Sequence, residues 1–187
     1  MCSFGKENAL KEAIVCAKLT QLGTEDVIVA STGVIGQTLP IEAIEQGAMQ
    51  IELKENNSLE AAQAIMTTTP KQKAVQVSFE LDGICVHLGG ICKGSGMIHP
   101  NMGTMLAFIT SDVDIESSML EKALQEITKK TFNRISVDGD TSTNDLCVVL
   151  ANGMAKNKPI QTEGEAYDTF KKALHTVMGK SSDTNCQ

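Results

Sequence analysis

The stretch that decides the fold reads Val75-Gln-Val-Ser-Phe-Glu-Leu81, Asp82-Gly83, Ile84-Cys-Val-His-Leu88. In its first run, apolar residues alternate with polar ones, which is typical of a strand that buries one face. The dipeptide Asp82-Gly83 is typical of a tight hairpin turn, and a second apolar run follows it. The stretch therefore predicts a β-hairpin. We interpret His87 as a strand residue rather than a catalytic base, because the sequence shows no partner for it.

C-terminal to the hairpin, Gly89-Gly90 leads into a turn-rich run that extends from Lys93. The run changes without a spacer into an apolar segment, and residues 105–110 are predicted to form an interior strand. Thr104, which follows the small residue Gly103, stands at the mouth of that strand. A hydroxyl in this position is a candidate nucleophile, and the rest of the chain is its scaffold.

The remaining chain alternates helical and strand-like patterns. Helices are predicted over residues 5–22, 40–55, 59–66 (capped by Ser58), 146–155 and 163–179, with another from Asp114 or Ser117 to about 130. Short strands are predicted over residues 27–31 and 134–137. This mixture predicts the α/β class, with a layered mixed sheet and helices. The length of 187 residues predicts a single domain over residues 1–187.

Composition excludes several classes of function. A net charge of −7 argues against nucleic-acid and anionic-membrane partners. No apolar run approaches the roughly 18–20 residues of a membrane span, and the N-terminus lacks the apolar core of a secretory signal. We therefore expect a cytoplasmic protein without a membrane partner.

The cysteine and histidine pattern argues against a metal. The six cysteines form no CxxC pair, and the three histidines form no cluster at ligand spacing. We expect reduced, buried thiols and no metal site. The loop 93–104 has a lysine and Gly-x-Gly but lacks the spacing of a P-loop. The loop 138–145 lacks the glycine and the glutamate of a calcium loop, so its polar residues are expected to cap the next helix.

A specific chemical argument favours Thr104 as the nucleophile. Cleavage of the Gly103–Thr104 bond would free the amine of Thr104, and an α-amino group with a pKa of about 7.7–8.0 can act as a base at neutral pH. The reaction also needs an oxyanion hole, and Thr32 with the N–H of Gly33 is a candidate.

Five blocks of sequence resemble the ornithine acetyltransferases, also called bifunctional glutamate N-acetyltransferases. They occur in the family's order and span about residues 2–178. The blocks are Gly5-Lys-Glu-Asn-Ala-Leu10, Ala30-Ser-Thr-Gly-Val-Ile-Gly36, Ala64-Ile-Met-Thr-Thr68, the run from Lys93 to Thr110, and Val137-Asp-Gly-Asp-Thr-Ser-Thr-Asn-Asp145.

The resemblance implies a fold reminiscent of N-terminal-nucleophile hydrolases and self-cleavage before Thr104, giving two chains that stay associated, with a higher oligomer expected. The new N-terminal threonine would carry acetyl from N-acetylornithine to glutamate in arginine biosynthesis. Some members also use acetyl-CoA, and no other cofactor is implied. Thr32 and Gly33 match the oxyanion-hole pair, whereas Thr67 and Lys93 match substrate-binding residues.

The chain also departs from the family pattern. The residue before the nucleophile is usually alanine, and here it is Gly103. Two residues that the family usually has before Thr69-Pro-Lys71 are missing, which bears on the position of Thr67. The family motif Asp-Gly-Glu-Gly-Ala-Thr-Lys and the C-terminal Asn and Ser/Thr have no counterpart, so a truncated domain is expected. Two alternatives therefore stay open: a non-catalytic remnant that needs a partner, and an amidase or peptidase that uses the same threonine.

Overall fold

The computed structural model describes residues 5–32, 37–54, 57–66, 74–93, 105–131 and 145–183. The chain divides into two compact units by its contacts. The first contains residues 1–57 and 99–102, and the second contains residues 58–98 and 103–187. The predicted strand over residues 134–137 lies outside the described residues.

The described part of the first unit contains two α-helices, with chain between them that is not α-helical. Helix α1 (Gly5–Thr20) contacts helix α2 (Ile41–Ala48), and a short 3₁₀ turn (Thr24–Asp26) follows α1. The helix predicted over residues 5–22 is thus confirmed, whereas the one predicted over residues 40–55 ends earlier, at Ala48.

The strand predicted over residues 27–31 is wrong. The backbone is extended at Val27, with φ −100° and ψ 125°, but residues 27–31 form no ladder within the described chain. Ile28 is 57% exposed, so this run is not buried on both faces as the apolar pattern suggested. An extended β-branched run becomes a strand only where a neighbouring strand takes its hydrogen bonds.

Among the described residues, the second unit is built on a mixed four-stranded sheet in the order β1-β2-β3-β4. Its strands are β1 (Ala74–Leu81), β2 (Ile84–Lys93), β3 (Leu106–Ser111) and β4 (Leu146–Ala151). The first three strands pair antiparallel, and β3 pairs parallel to β4. The predicted hairpin, the interior strand and the α/β class are therefore confirmed.

Strand β2 is longer than predicted, because Gly89 and Gly90 lie inside it rather than leading out of it. A Cβ atom on Gly90 would lie 2.9 Å from Cγ1 of Val177 in helix α5 (Glu165–Asp183). Overpacking of this kind costs about 1–3 kcal/mol. Glycine at position 90 thus lets α5 approach the sheet closely.

The helix predicted over residues 146–155 is also wrong, because residues 146–151 form strand β4. A short apolar run with two adjacent valines fits a buried parallel strand as well as it fits a helix. The parallel ladder on β3 decides the outcome, with Leu146 paired to Leu106.

Helices α4 (Ser117–Thr128) and α5 confirm two further predictions, and α3 (Ser58–Ala64) forms close to its predicted range. Residues of α4 and α5 share one hydrophobic core with one face of the sheet. Its fully buried members include Val86, Leu88, Val113, Ala123, Tyr167, Phe170, Leu174, Val177 and Met178. Among the residues that the structure describes, no helix has the length and apolar character needed to cross a membrane.

Candidate active site

The candidate site lies at the sheet edge where β2 ends and β3 and β4 begin. Lys93 is paired with Leu106, and Leu106 with Leu146. Because β2 runs antiparallel to β3 while β4 runs parallel to it, the end of one strand lies beside the starts of two others. Lys93, Met105 and Asp145 are therefore neighbours at this edge.

Met105 is held at both sides of its backbone. Its N–H donates to Oδ1 of Asp145 at 2.8 Å, and its C=O accepts from the N–H of Leu146 at 3.0 Å. Thr104 precedes Met105 by one peptide bond, although Thr104 and Gly103 themselves lie outside the described residues. The chain immediately after the predicted nucleophile is thus fixed to the start of β4.

Asp145 is the residue that the sequence interpretation missed. Asp145 was expected to help cap a helix, and with β4 in place of that helix it instead bonds across 40 residues to Met105. The available signal was its position directly before an apolar run. Interpreting that run as a parallel strand would have placed Asp145 at the same sheet edge as the start of β3.

Lys93 is a buried cation at this edge, with only 7% of its surface exposed. Burial lowers the pKa of its amine, and the nearby Asp145 and Cys92 oppose this effect. Since burial disfavours the charged form of the amine, an anion bound beside Lys93 would be stabilised by its charge and would in turn stabilise it.

Replacing Lys93 by methionine should change how stability depends on pH. The folded-state pKa of Lys93 lies below its unfolded value of 10.5, so the unfolded chain binds more protons between these two values. The wild type should therefore gain stability relative to Lys93→Met as pH rises through this window. Below the window, where Lys93 is charged in both states, the wild type carries the full desolvation cost of the buried charge.

Urea titrations of both proteins at several pH values from neutral to about 10 measure this difference. The exposed Lys158 provides a matched control, since Lys158→Met removes a lysine charge that is not buried. A parallel pH dependence in the wild type and Lys93→Met would contradict the prediction.

Among the other predicted site residues, only Thr32 is described. Thr32 is half-buried in the first unit, next to Ser31. The Ser31 hydroxyl donates to the Glu12 carboxylate, with distances of 2.7 and 2.9 Å to its two oxygens. This bond holds the segment before Gly33 against α1. Gly33 and Thr67 lie outside the described residues, so their roles stay predictions.

The thiols in the interior are not candidates for the nucleophile. Cys92 and Cys147 flank Ala107 on neighbouring strands, and burial, followed by the nearby Cys92, raises the pKa of Cys147 to about 12. The expectation of buried thiols holds for Cys92 but is wrong for Cys85, which is exposed. Within the described ranges, no three side chains of the metal-binding types are grouped as ligands.

His87 lies in a strand as predicted, but it has a partner that the sequence did not reveal. Its Nδ1 lies 3.1 Å from Oδ2 of Asp112, and its Nε2 lies 3.9 Å from Sγ of Cys85. The three residues form a second polar cluster, distinct from the edge that holds Lys93.

The chain is an α/β protein with a mixed sheet. A buried lysine at the end of one strand and a carboxylate at the start of another form a polar candidate site at the sheet edge. The model of the ArgJ family matches residues 2–183, and the chain belongs to that family. The resemblance found in the sequence is thereby confirmed.

Two curated relatives show how much of the family's length is present. The arginine biosynthesis bifunctional protein ArgJ of Lactococcus lactis subsp. lactis (strain IL1403) is 47% identical over 173 residues, covering 92% of this chain and 44% of that protein. ArgJ 1 of Clostridium acetobutylicum is 49% identical over 176 residues, covering 92% of this chain and 43% of that protein. The chain thus spans less than half the length of these relatives.

A solved structure is also similar. It is the crystal structure of the arginine biosynthesis bifunctional protein ArgJ from Bacillus halodurans at 2.00 Å resolution, with 44% identity and a TM-score of 0.40. The match covers 41% of this chain and 36% of that chain.

Proposed function

We propose that the chain contributes to an acetyltransferase that moves acetyl from N-acetylornithine to glutamate in arginine biosynthesis, through an acetyl ester on Thr104. The anchoring of Met105 to Asp145 beside the buried Lys93 carries this proposal, because it fixes the backbone next to the nucleophile. Family membership and the names of the curated relatives support the pathway.

The first step is cleavage of the Gly103–Thr104 bond. The Thr104 hydroxyl attacks the carbonyl carbon of Gly103, and the C–N bond breaks as the nitrogen takes a proton. Water then hydrolyses the resulting ester, leaving a carboxylate on Gly103 and a free amine on Thr104. This amine is the base that makes the hydroxyl of a terminal threonine reactive.

The second step is acetyl transfer. The Thr104 hydroxyl attacks the acetyl carbonyl of N-acetylornithine, its proton passes to the departing ornithine amine, and an acetyl ester remains. The amine of glutamate then takes the acetyl group and restores the hydroxyl. Thr32 and the N–H of Gly33 would stabilise the oxyanion, while Thr67 and Lys93 would bind substrate. Acetyl-CoA is a further candidate donor, and no other cofactor is required.

The proposal also predicts what happens to the two chains that cleavage produces. The two chains produced by cleavage would remain associated, because β2 lies before the cut and β3 after it, and these strands are paired over six residues. Pairing across the cut keeps Lys93 beside Leu106, two positions after the new N-terminus. The matched relatives are more than twice as long, so further substrate contacts and a higher oligomer are expected from the remainder of the family's length.

A trapping experiment tests the transfer. The purified chain is incubated with N-acetylornithine carrying an isotopically labelled acetyl group, quenched in acid, digested and analysed by mass spectrometry. We expect the label on the peptide that begins with Thr104, and its loss when glutamate is added, with labelled N-acetylglutamate as product. Discharge to water at the same rate without glutamate would replace the transferase by an amidase. Absence of label from a cleaved chain would contradict ester formation by this chain alone and would favour the remnant that needs a partner.

A further inference from the structure

On the sheet face opposite α4 and α5, an exposed thiol lies beside an oriented imidazole. Cys85 and His87 are two residues apart on β2, so both side chains point away from the buried Val86 and Leu88. The distance of 3.9 Å between Sγ of Cys85 and Nε2 of His87 lies at the outer limit of a hydrogen bond to sulfur.

Asp112 fixes the orientation of the ring. Its Oδ2 lies 3.1 Å from Nδ1 of His87, while its Oδ1 accepts the backbone N–H of the same residue at 2.7 Å. Because a carboxylate only accepts hydrogen bonds, Nδ1 must carry the proton of this bond. In the neutral ring, the lone pair of Nε2 is then available to the thiol of Cys85.

The backbone around His87 is held as well. Its C=O accepts from Oγ of Ser111 at 2.8 Å and from the N–H of Asp112 at 3.4 Å. The strand pairing with β3 ends at Ser111, directly before Asp112. The imidazole and its carboxylate are therefore carried by two paired strands rather than by a loop, which limits their relative movement.

We propose that Cys85 is a site of reversible covalent modification by low-molecular-weight disulfides, with His87 as the base and Asp112 as the residue that positions it. The thiolate is the nucleophile in disulfide exchange, and a neighbouring imidazole favours it. In the reaction, His87 takes the thiol proton, and Sγ attacks one sulfur of the disulfide. The new S–S bond joins Cys85 to half of the reagent, and the other half leaves as a thiolate that recovers the proton.

The charges around Cys85 select the reagent. Glu80 is the register partner of Cys85 on β1, and Asp82 lies in the adjoining turn. With Asp112, these side chains make the surroundings acidic, and His87 is the cation-forming group beside the thiol. A disulfide with cationic amines, such as cystamine, should therefore react faster than the anionic glutathione disulfide.

Residue-resolved thiol kinetics test this proposal. The folded chain is reacted with cystamine at neutral pH, and the mixed disulfide at each cysteine is measured by peptide mass spectrometry over time. Cys85 should react faster than the half-buried Cys16, and faster than it does itself in the urea-unfolded chain. Equal rates for Cys85 in the folded and unfolded chain would overturn the proposal without any variant.

Variants then separate the roles of the neighbours. In His87→Gln, the Cys85 rate should fall by at least about threefold, because no imidazole is then beside Sγ to take the thiol proton. Asp112→Asn should lie between this variant and the wild type, with a shifted pH profile. Glu80→Gln tests the selection by charge, since it leaves the imidazole in place and should bring the rates with cystamine and with glutathione disulfide closer together. A folded His87→Gln variant with the wild-type rate and pH profile would refute the role of the imidazole.

Discussion

Thr104→Ala should keep the chain intact under conditions in which the wild type splits into pieces of 103 and 84 residues. The substitution removes the only oxygen that can attack the Gly103 carbonyl from within residue 104. An amide that lacks this intramolecular attack is cut only by water, so a loss of cleavage of about a thousandfold or more is expected. Denaturing electrophoresis over time gives the fraction cleaved, and mass spectrometry confirms that the new N-terminus is Thr104.

Two variants make the result specific. Thr104→Ser retains a hydroxyl and should cleave, at a rate within about tenfold of the wild type. Thr110→Ala removes an exposed threonine from the same strand and should leave cleavage unchanged, which separates the chemistry from any general effect on β3. Cleavage of Thr104→Ala at the wild-type rate, or a wild type that stays intact after long incubation, would count against self-processing.

The parts of the fold that the sequence predicted well depend on local signals. The hairpin follows from the alternation in β1 and from the turn pair Asp82-Gly83, whose φ angles of 50° and 80° suit a tight turn of this kind. The periodic faces of α1, α4 and α5 likewise lie within one segment of chain, so each can be recognised without knowing its neighbours.

The errors fall where a distant partner decides the structure. The run 146–151 becomes a strand because β3 offers it a parallel ladder, whereas the run 27–31 finds no ladder in the described chain. Both runs are short and apolar, and nothing within either of them distinguishes the two outcomes. The structural role of Gly90 likewise depends on a distant residue, since the close neighbour of this position is Val177, which is 87 positions further along the chain.

In the candidate sites, too, local signals identified some residues, whereas contacts between distant residues could not be predicted. Thr104 was identified by the glycine before it and the strand after it, and Lys93 by its place in the family's motif. Neither signal reveals Asp145, whose bond to Met105 exists only once β4 lies beside β3. The pairing of His87 with Asp112 likewise spans 25 residues and depends on the register between β2 and β3.

Asp145→Ala should slow cleavage at Thr104 by about tenfold to a hundredfold while the chain remains folded. The carboxylate of Asp145 holds the N–H of Met105, and Leu146 holds its C=O, so the residue after the nucleophile is fixed on both sides. Loss of one bond leaves the 104–105 peptide free to shift, and a misplacement of about 1 Å can cost a reaction about a hundredfold. Asp145 lies at the exposed start of β4, so its removal should affect the thermal midpoint little.

The matched variant Asp145→Asn separates position from charge. Asparagine retains a side-chain oxygen that can accept from Met105, so it should recover most of the rate that alanine loses if position is what matters. Amide hydrogen exchange at Met105, measured in the uncleaved Thr104→Ala background, gives a second readout that does not depend on cleavage. Exchange should become faster with Asp145→Ala and stay near the parent value with Asp145→Asn. Unchanged protection of the Met105 amide in Asp145→Ala would show that the carboxylate does not hold this peptide, because loss of the acceptor should make local opening of this amide easier.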